Sequence, residues 1–292
     1  MKRLVVCAAC AVVSCSSVVM VTAMSSPAAA AGPPALVSGT FMRAPRTSHM
    51  RAGVVVDEIE SPNWSGYVQG ASDRGTFTEV TDTIVVPSVD DVGDGTQYAA
   101  DWVGIGGYFD HDRTLVQTGV QAVVSGAGSV SYDAWTEILP QAERPLKLKV
   151  TAGDKVTATV EEIAADQWTM TVDDLTTGKS GSRTVKYRSK GLSAEAIHER
   201  PCIANPCSSV TSLAQLAQTD DVTFDPGYAS ESPAGAPPAN QALLSAMPGA
   251  TLTTIAMVSN AGSVIATPSV PNGAEDGFTM ADGVSAPPPP GS

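Results

Sequence analysis

The sequence predicts an all-β protein whose strands form a two-sheet antiparallel sandwich. The chain carries 26 Gly and 21 Pro among 292 residues, and only 16% of its residues are charged. This is not the composition of a helical bundle or a coiled coil, which would be rich in Leu, Glu and Lys. Apolar and polar residues alternate in short segments about every ten residues, as in half-buried strands. No long amphipathic helix interrupts the series, so the strands are expected to pair antiparallel without helical crossovers.

Each predicted strand is an alternating segment that ends near a turn signal such as Asp94-Gly95 or Thr177-Gly178. Residues Ser209–Gln218 are compatible with one short helix, and the Gly, Pro and Ala residues of Pro226–Pro238 predict a long surface loop. More than ten such strands most simply make a sandwich. The predicted strands are, in chain order, Thr76–Pro87, Tyr98–Gly106, Arg113–Val123, Ser129–Leu139, Leu146–Thr151, Asp154–Ile163, Gln167–Asp173, Arg183–Arg188, Asp221–Phe224, Thr251–Val258 and Val264–Thr267.

The two ends of the chain are predicted to lie outside this fold. Residues 1–31 have the basic start, the apolar run and the Ala-rich end of a secretory signal peptide, so we expect a secreted protein. A retained membrane anchor and a lipoprotein attached at Cys15 are the alternatives. Residues 32–60 lack strand alternation and are interpreted as a pro-segment or flexible leader. One domain is then expected at 61–284, followed by a Pro-rich tail at 285–292.

Cysteine usage agrees with export. Only Cys202 and Cys207 remain after removal of the signal, and two cysteines in an exported chain are expected to form a disulfide. A metal site is not expected there, because no His follows at a ligand-like spacing. The sequence shows no other metal or cofactor site.

The net charge of −13 argues against nucleic acid as a partner, because a protein that binds the phosphate backbone needs a basic face. After removal of the signal, no stretch is long and apolar enough to span a bilayer, so no membrane association is expected. The partners that remain are other macromolecules or small ligands.

The common catalytic signatures are missing. Beyond the leader only His111 and His198 are available, and neither G-x-S-x-G, H-E-x-x-H nor the Asp-Thr-Gly of paired-Asp proteases occurs. Asp133, Trp135 and Glu137 alternate on one strand and share a face. Four residues of strand separate Asp133 from Glu137 by about 13 Å, which is too far for a retaining glycosidase and long for an inverting one.

Six segments, taken together, resemble the glutamic peptidases, or eqolisins, and occur in the order of that family. The resemblance covers about residues 61–282. The segments are Asn63–Val68, Trp102–Gly107, Leu115–Val120, Tyr132–Pro140, Asp174–Gly178 and Ala194–Pro201.

The resemblance implies a catalytic pair of Gln117 and Glu199, with Trp102, Trp135, Glu137 and Asp133 lining or supporting the site. It also implies two curved antiparallel sheets with a concave cleft. Such a protein would be an acid endopeptidase, insensitive to pepstatin and without a cofactor, that acts as a monomer on protein or peptide substrates. His198 neighbours Glu199 and is therefore expected on the opposite face of its strand, in a structural role.

Two positions depart from the family pattern. Gly106 stands where fungal members carry Asp, and Ile138 stands where they carry Trp. These departures concern the local hydrogen-bond network and the shape of the substrate groove. Two alternatives to a peptidase stay open. One is a lectin-like sandwich that binds glycan without turnover, and the other is an inverting glycosidase that uses Glu137 and Glu199.

Overall fold

The computed structural model describes residue 42 and the ranges 57–71, 76–90, 95–204 and 209–291, together with residue 93. The predicted signal peptide lies outside the described residues, as do Cys207 and nearly all of the predicted leader. No helix within these ranges is both long enough and apolar enough to cross a membrane.

Strands dominate the described ranges. They are β1 (Asp57–Ser61), β2 (Trp64–Gly70), β3 (Glu79–Val85), β4 (Val89–Asp90), β5 (Gln97–Gly106), β6 (Leu115–Val124), β7 (Val130–Ile138), β8 (Arg144–Pro145), β9 (Lys155–Ala164), β10 (Gln167–Asp174), β11 (Lys179–Lys186), β12 (Ser193–Glu199), β13 (Gln215–Leu216), β14 (Gln218–Thr219), β15 (Val222–Ser230), β16 (Gln241–Ala242), β17 (Thr251–Val258), β18 (Val264–Pro268) and β19 (Phe278–Asp282), with a 3-10 turn at Val210–Ser212.

The strands form two layers. The first sheet has the order β1-β17-β2-β12-β5-β6-β7-β8, and the pairs in this order are antiparallel except for β1–β17. The short strand β13 also pairs with β5, in parallel. The second has the antiparallel order β11-β10-β9-β3-β15-β19-β18. The pair β17–β18 joins the two along one side. The predicted all-β antiparallel sandwich is therefore confirmed.

One apolar core lies between the two layers. Val103 and Ile105 of β5 and Val116 of β6 belong to the same buried cluster as Val160 of β9 and Met170 of β10. On β9 and β10 buried positions alternate with partly exposed ones, which is the pattern of strands covered on one face. Strands β2, β5, β6 and β12 are buried at every position, so the first sheet is covered on both faces.

The burial pattern explains which strands the sequence predicts. β17 has the predicted bounds, and β5, β6, β7, β9 and β10 differ by one or two residues. β2 and β12 are not among the predicted strands, because they are covered on both faces and their sequences do not alternate. β5 and β6 are equally covered but keep enough alternation to be predicted. β1 and β19 are further strands that alternation does not reveal.

Several predicted elements are wrong in detail. Leu146–Thr151 is not a strand, although Leu148 and Val150 are buried in the core and so produce the alternation. Pro226 does not begin a loop, because β15 continues to Ser230 through a register shift between Phe224 and Gly227, where a strand tolerates proline. Ser209–Gln218 holds only the 3-10 turn and two-residue strands in place of a helix.

The first strand extends the folded domain into the range predicted as leader. All five residues of β1, Asp57–Ser61, pair with β17, and Ile59 packs against buried apolar side chains. The strand overlaps the predicted leader at residues 57–60, because a short parallel edge strand carries no clear period-2 signal. The boundary between leader and domain stays a prediction.

Candidate functional site

The predicted site residues lie on the face of the first sheet that points away from the sandwich core, called here the site face. Side chains alternate along each strand, so Val103 and Ile105 in the core turn Trp102 toward the site face. An apolar cluster covers this face and includes Trp64, Trp102, Trp135 and Ile197. The predicted site residues that are both polar and buried on this face are Gln117 of β6, Glu137 of β7 and Glu199 of β12.

Gln117 and Glu137 are directly opposite each other on β6 and β7. Both are fully buried, and the amide Nε2 of Gln117 donates to Glu137 Oε2 at 2.7 Å. This bond fixes the direction of the amide. Its Oε1 is buried and has no hydrogen-bond partner among the described residues, so it is available to a ligand or a water.

Glu199 ends β12 and is fully buried. The indole Nε1 of Trp102, on the neighbouring strand β5, donates to Glu199 Oε2 at 2.8 Å. The ring of Trp102 also meets Trp64 edge-on, with 5.0 Å between ring centroids. Because the indole N–H favours the charged carboxylate, it favours a form of Glu199 that can accept a proton.

Gly119 separates the two central indoles. It pairs with Trp102 on one side and with Trp135 on the other. A Cβ at this position would lie 2.1 Å from the carbonyl oxygen of Asp101 and 2.6 Å from Trp102 Cα, so only glycine fits. The close approach of β5 and β6 at Gly119 therefore sets the position of Trp102 and, through it, of Glu199.

Two further buried carboxyl groups stand near one end of the site face. Glu195 alternates with Ile197 and Glu199 and so shares their face of β12. Its burial raises the pKa well above the ordinary value, and the nearby Asp112 carboxyl adds to the effect. Asp112, in the loop after β5, is also buried and accepts from the backbone N–H of Thr114 at 2.9 Å.

The departure at Gly106 has a structural reason. Its φ is +96°, and a Cβ there would lie 2.3 Å from the carbonyl oxygen of Thr114, so this backbone excludes any side chain. The same Cβ position is 3.3 Å from Asp112 Oδ2. The loop after β5 thus places the Asp112 carboxyl group beside Gly106, which has no side chain.

Tyr187 joins the ends of two site strands. Its hydroxyl accepts from the backbone N–H of Leu115 and donates to the carbonyl of Leu139, both at 2.9 Å. Burial raises the pKa of Tyr187 to about 12, and the carboxyls of Asp112 and Glu137 contribute. Tyr187 therefore remains a neutral hydrogen-bonding group over the whole acid range.

The other predicted residues take no part in the hydrogen bonds of Gln117 and Glu199 described above. Asp133 is exposed, four residues before Glu137 on β7 and opposite Gln121. His198 lies on the core face, as predicted, and its Nδ1 is 2.7 Å from Asp101 Oδ1. Cys202 is buried, but Cys207 lies outside the described residues, so their disulfide stays a prediction.

Sequence reasoning missed Glu195, Asp112 and Tyr187, and also the pair Gln121 and Glu143 on the site face. Glu195 and Gln121 had a usable signal, since each lies four residues from a predicted site residue on the same strand, Glu199 or Gln117, and must share its face. The others reach the site through loops or distant strands. Within the described ranges, no three or more His, Cys, Asp or Glu side chains are grouped to hold a metal ion.

Comparisons with known proteins match this chain to one protein family. The family model described as the Peptidase A4 family matches residues 62–272. Aspergillopepsin-2 of Aspergillus niger is 30% identical over 187 residues, which are 58% of this chain and 64% of that protein. Scytalidopepsin B of Scytalidium lignicola is 31% identical over 135 residues, which are 46% of this chain and 47% of that protein. The match thus spans less than two thirds of either relative.

Solved structures share the fold. A scytalido-glutamic peptidase with a transition state analog inhibitor superposes with a TM-score of 0.58 at 22% identity, covering 76% of this chain and 98% of that one. SCP-B, a member of the eqolisin family in complex with the tripeptide Ala-Ile-His, gives a TM-score of 0.54 at 21% identity with the same coverages. At these identities the likeness concerns the β-sandwich alone.

Proposed function

Because the chain belongs to the Peptidase A4 family, we propose that it is a secreted acid endopeptidase whose catalytic pair is Glu199 and Gln117. One observation carries the proposal. Both side chains are buried on one face of one sheet, and each has its orientation fixed by a hydrogen bond, from Trp102 to Glu199 and from Gln117 to Glu137. Peptide ligands in the solved relatives support a peptide substrate.

Glu199 acts as the general base. Its carboxylate takes a proton from the water that attacks the scissile carbonyl, and the water oxygen forms the new bond to carbon. The protonated Glu199 then gives the same proton to the leaving amine as the C–N bond breaks. In mild acid a carboxylate can take up the proton in the first step and release it in the second.

Gln117 stabilises the tetrahedral intermediate without changing its own charge. One N–H of its amide is used by Glu137, and the second can donate to the oxyanion. The unpartnered Oε1 can accept a hydrogen bond from the attacking water. Because the site is buried, such donors act in a low dielectric and contribute more than they would in water.

The test is digestion of denatured protein between pH 2 and 6 with pepstatin present. Glu199→Gln should lower the rate by about 10²- to 10⁴-fold, because it removes the base but keeps the shape. Glu162→Gln, on the second sheet, is the matched control and should cleave like the wild type.

Several results would contradict the proposal. Equal cleavage by the Glu199→Gln variant would exclude Glu199 as the base. Hydrolysis of glycans in place of protein would indicate the inverting glycosidase. Glycan binding without any hydrolysis, by correctly folded protein, would indicate the lectin-like sandwich.

A further inference from the structure

The site face carries a second glutamine–carboxyl pair, beyond the proposed catalytic pair. Gln121 lies four residues after Gln117 on β6, so both point to the site face. The amide Nε2 of Gln121 donates to Glu143 Oε1 at 3.0 Å. Glu143 comes from the loop between β7 and β8 and is only partly buried, so this pair borders solvent while Gln117 does not.

The register places Gln121 level with Glu199 in the sheet. Gln121 pairs with Ala100 of β5, and Ala100 pairs with Glu199 of β12. With strands about 4.8 Å apart, the Cα atoms of Gln121 and Glu199 are about 10 Å apart across the small side chain of Ala100. No large side chain on β5 separates the two in this row.

Gln121 holds an acceptor that the folded chain does not use. Its Oε1 is buried without a hydrogen-bond partner among the described residues, and the side chain is 6% exposed. A buried acceptor left without a partner destabilises the folded chain, so a ligand that donates to it is favoured. The Oε1 of Gln117 has the same property, about 13 Å away along β6.

That spacing matches an extended peptide. Main-chain N–H groups on one side of an extended chain recur every two residues, or about 6.7 Å, so two repeats span about 13 Å. A substrate that lies along β6 could therefore offer one N–H near Gln117 and another to Gln121. The second contact would be about four residues from the scissile bond.

The protonation state of Glu143 decides whether its carboxyl group can donate a hydrogen bond to a bound peptide. Burial raises its pKa to about 7, Gln121 opposes this by donating to it, and the Asp133 carboxyl raises it further. Among the described residues, the titratable groups that face Glu143 are Asp133 on β7 and Tyr98 on β5. Below neutral pH Glu143 is a neutral acid whose Oε1 accepts from Gln121, which leaves Oε2–H as a donor.

We propose that Gln121 and Glu143 form a substrate subsite that binds the peptide main chain. Gln121 Oε1 accepts an N–H of the substrate, and the carboxylic acid of Glu143 donates to a neighbouring carbonyl. The inference rests on the proposed peptidase function and adds a second source of acid preference, one that acts on binding and not on the chemical step. Once ionised, Glu143 can only accept hydrogen bonds and repels the carbonyl oxygen.

The experiment measures peptide binding to the full-length chain carrying Glu199→Gln, by fluorescence anisotropy at pH 5.0 and pH 8.5. The probes are a labelled extended decapeptide and a labelled tetrapeptide too short to span both glutamines. The decapeptide should bind at least about tenfold more weakly at pH 8.5, which is about 1.4 kcal/mol. The tetrapeptide should show little change.

Two added substitutions separate this role from a general effect of pH. Glu143→Gln keeps a neutral donor at every pH, so it should retain the pH 5.0 affinity for the decapeptide at pH 8.5. Glu143→Leu should bind the decapeptide weakly at both pH values, while Glu162→Gln should behave like the parent. Circular dichroism checks that each variant is folded at both pH values.

The results distinguish the subsite from the proposed function. Decapeptide binding that is absent, that does not depend on pH, or that depends on pH equally with Glu143→Gln would overturn the subsite. Cleavage of protein by wild type would still support the peptidase in each of these cases. Conversely, pH-dependent binding without any cleavage by wild type would retain the subsite and contradict the peptidase.

Discussion

Trp102 donates a hydrogen bond that stabilises the charged form of Glu199. Its Nε1 donates to Glu199 Oε2 inside a buried apolar cluster, where the bond favours the carboxylate over the acid. Trp102 is thus a positioning residue, which acts on the reaction through the group that exchanges the proton.

We predict that Trp102→Phe moves the acidic limb of the kcat/KM profile to higher pH. A hydrogen bond to the carboxylate stabilises its charged form, so the loss of this bond should raise the pKa of Glu199. The base then loses its charge at a higher pH. The measurement is the pH dependence of kcat/KM for a peptide substrate.

Trp168→Phe provides the matched control. Trp168 is also buried, but its Nε1 has no hydrogen-bond partner among the described residues, and it lies on β10 of the second sheet. This variant should keep the wild-type profile. If both variants shifted the profile equally, the effect would come from packing and not from the hydrogen bond.

Single residues of the site differ in how far the sequence reveals them. Gln117, Glu137 and Glu199 each stand in a short segment with the family pattern, so they could be predicted by position. Glu143 could not, because its partner Gln121 is 22 residues away in the chain and meets it only through a loop. Asp112 also comes close to Gly106 only because of the path of a loop, and no local sequence pattern predicts that contact.

At the scale of elements, Gly119 sets the distance between β5 and β6. Its missing side chain lets the backbone of β5 approach at Trp102, midway between two indole rings. A Cβ at Gly119 would clash with backbone atoms of Asp101 and Trp102, so no change of side-chain rotamer could make room for it.

We predict that Gly119→Ala destabilises the fold by about 1–3 kcal/mol or more and lowers activity in the protein that remains folded. The added methyl must push β5 away and move Trp102 relative to Glu199. Urea denaturation measures the first effect, and kcat at saturating substrate measures the second.

Gly126→Ala is the comparison for this substitution. Gly126 lies in the turn between β6 and β7, and a Cβ there would meet nothing closer than 3.5 Å. It should change neither quantity appreciably. A Gly119→Ala variant as stable and active as this control would show that the two strands can separate freely.

A strand with one face toward solvent is easier to predict from sequence than a strand that is covered on both faces. β9 and β10 alternate and were found with nearly correct ends, whereas β2 and β12 are buried on both faces and do not alternate. The strands that position Glu199 and Trp64 are thus those that alternation describes least well. Pairing partners such as β12 between β2 and β5 depend on contacts far apart in the chain, which periodicity does not encode.

At the scale of the whole molecule, four buried titratable groups make the folded state less stable as pH rises. Burial raises the pKa of Asp82 and Glu195 well above their ordinary values, and that of Glu143 to about 7. Burial alone would lower the pKa of His198, but the Asp101 carboxylate outweighs it and the pKa is raised. In all four cases the folded state binds protons more tightly than the unfolded chain.

We therefore predict that the protein is most stable in acid and loses stability as pH rises. The carboxyl contributions are present below the unfolded pKa values near 4 and fade as pH rises through the folded ones. The His198 contribution is present below about pH 6.5 and is lost as pH passes its raised pKa. Calorimetry at pH 5 and pH 8 should give a Tm lower by at least about 5 °C at pH 8.

Glu195→Gln should reduce this dependence, since a neutral amide has no proton to lose. The exposed Asp110→Asn is the control and should leave the slope unchanged. A Tm that rises between pH 5 and pH 8 would contradict the sign of the argument.

The parallel edge strand β1 also bears on how the protein can be matured and kept in solution. Residues 57–61 occupy one side of β17, whose other side pairs with β2. Trimming at the boundary suggested by alternation alone would expose a row of unpaired amides and carbonyls along β17. Such an edge is a template for another extended chain, so a cut through β1 would favour self-association. A processing enzyme that stops short of Asp57 would instead leave each molecule with its own closing strand.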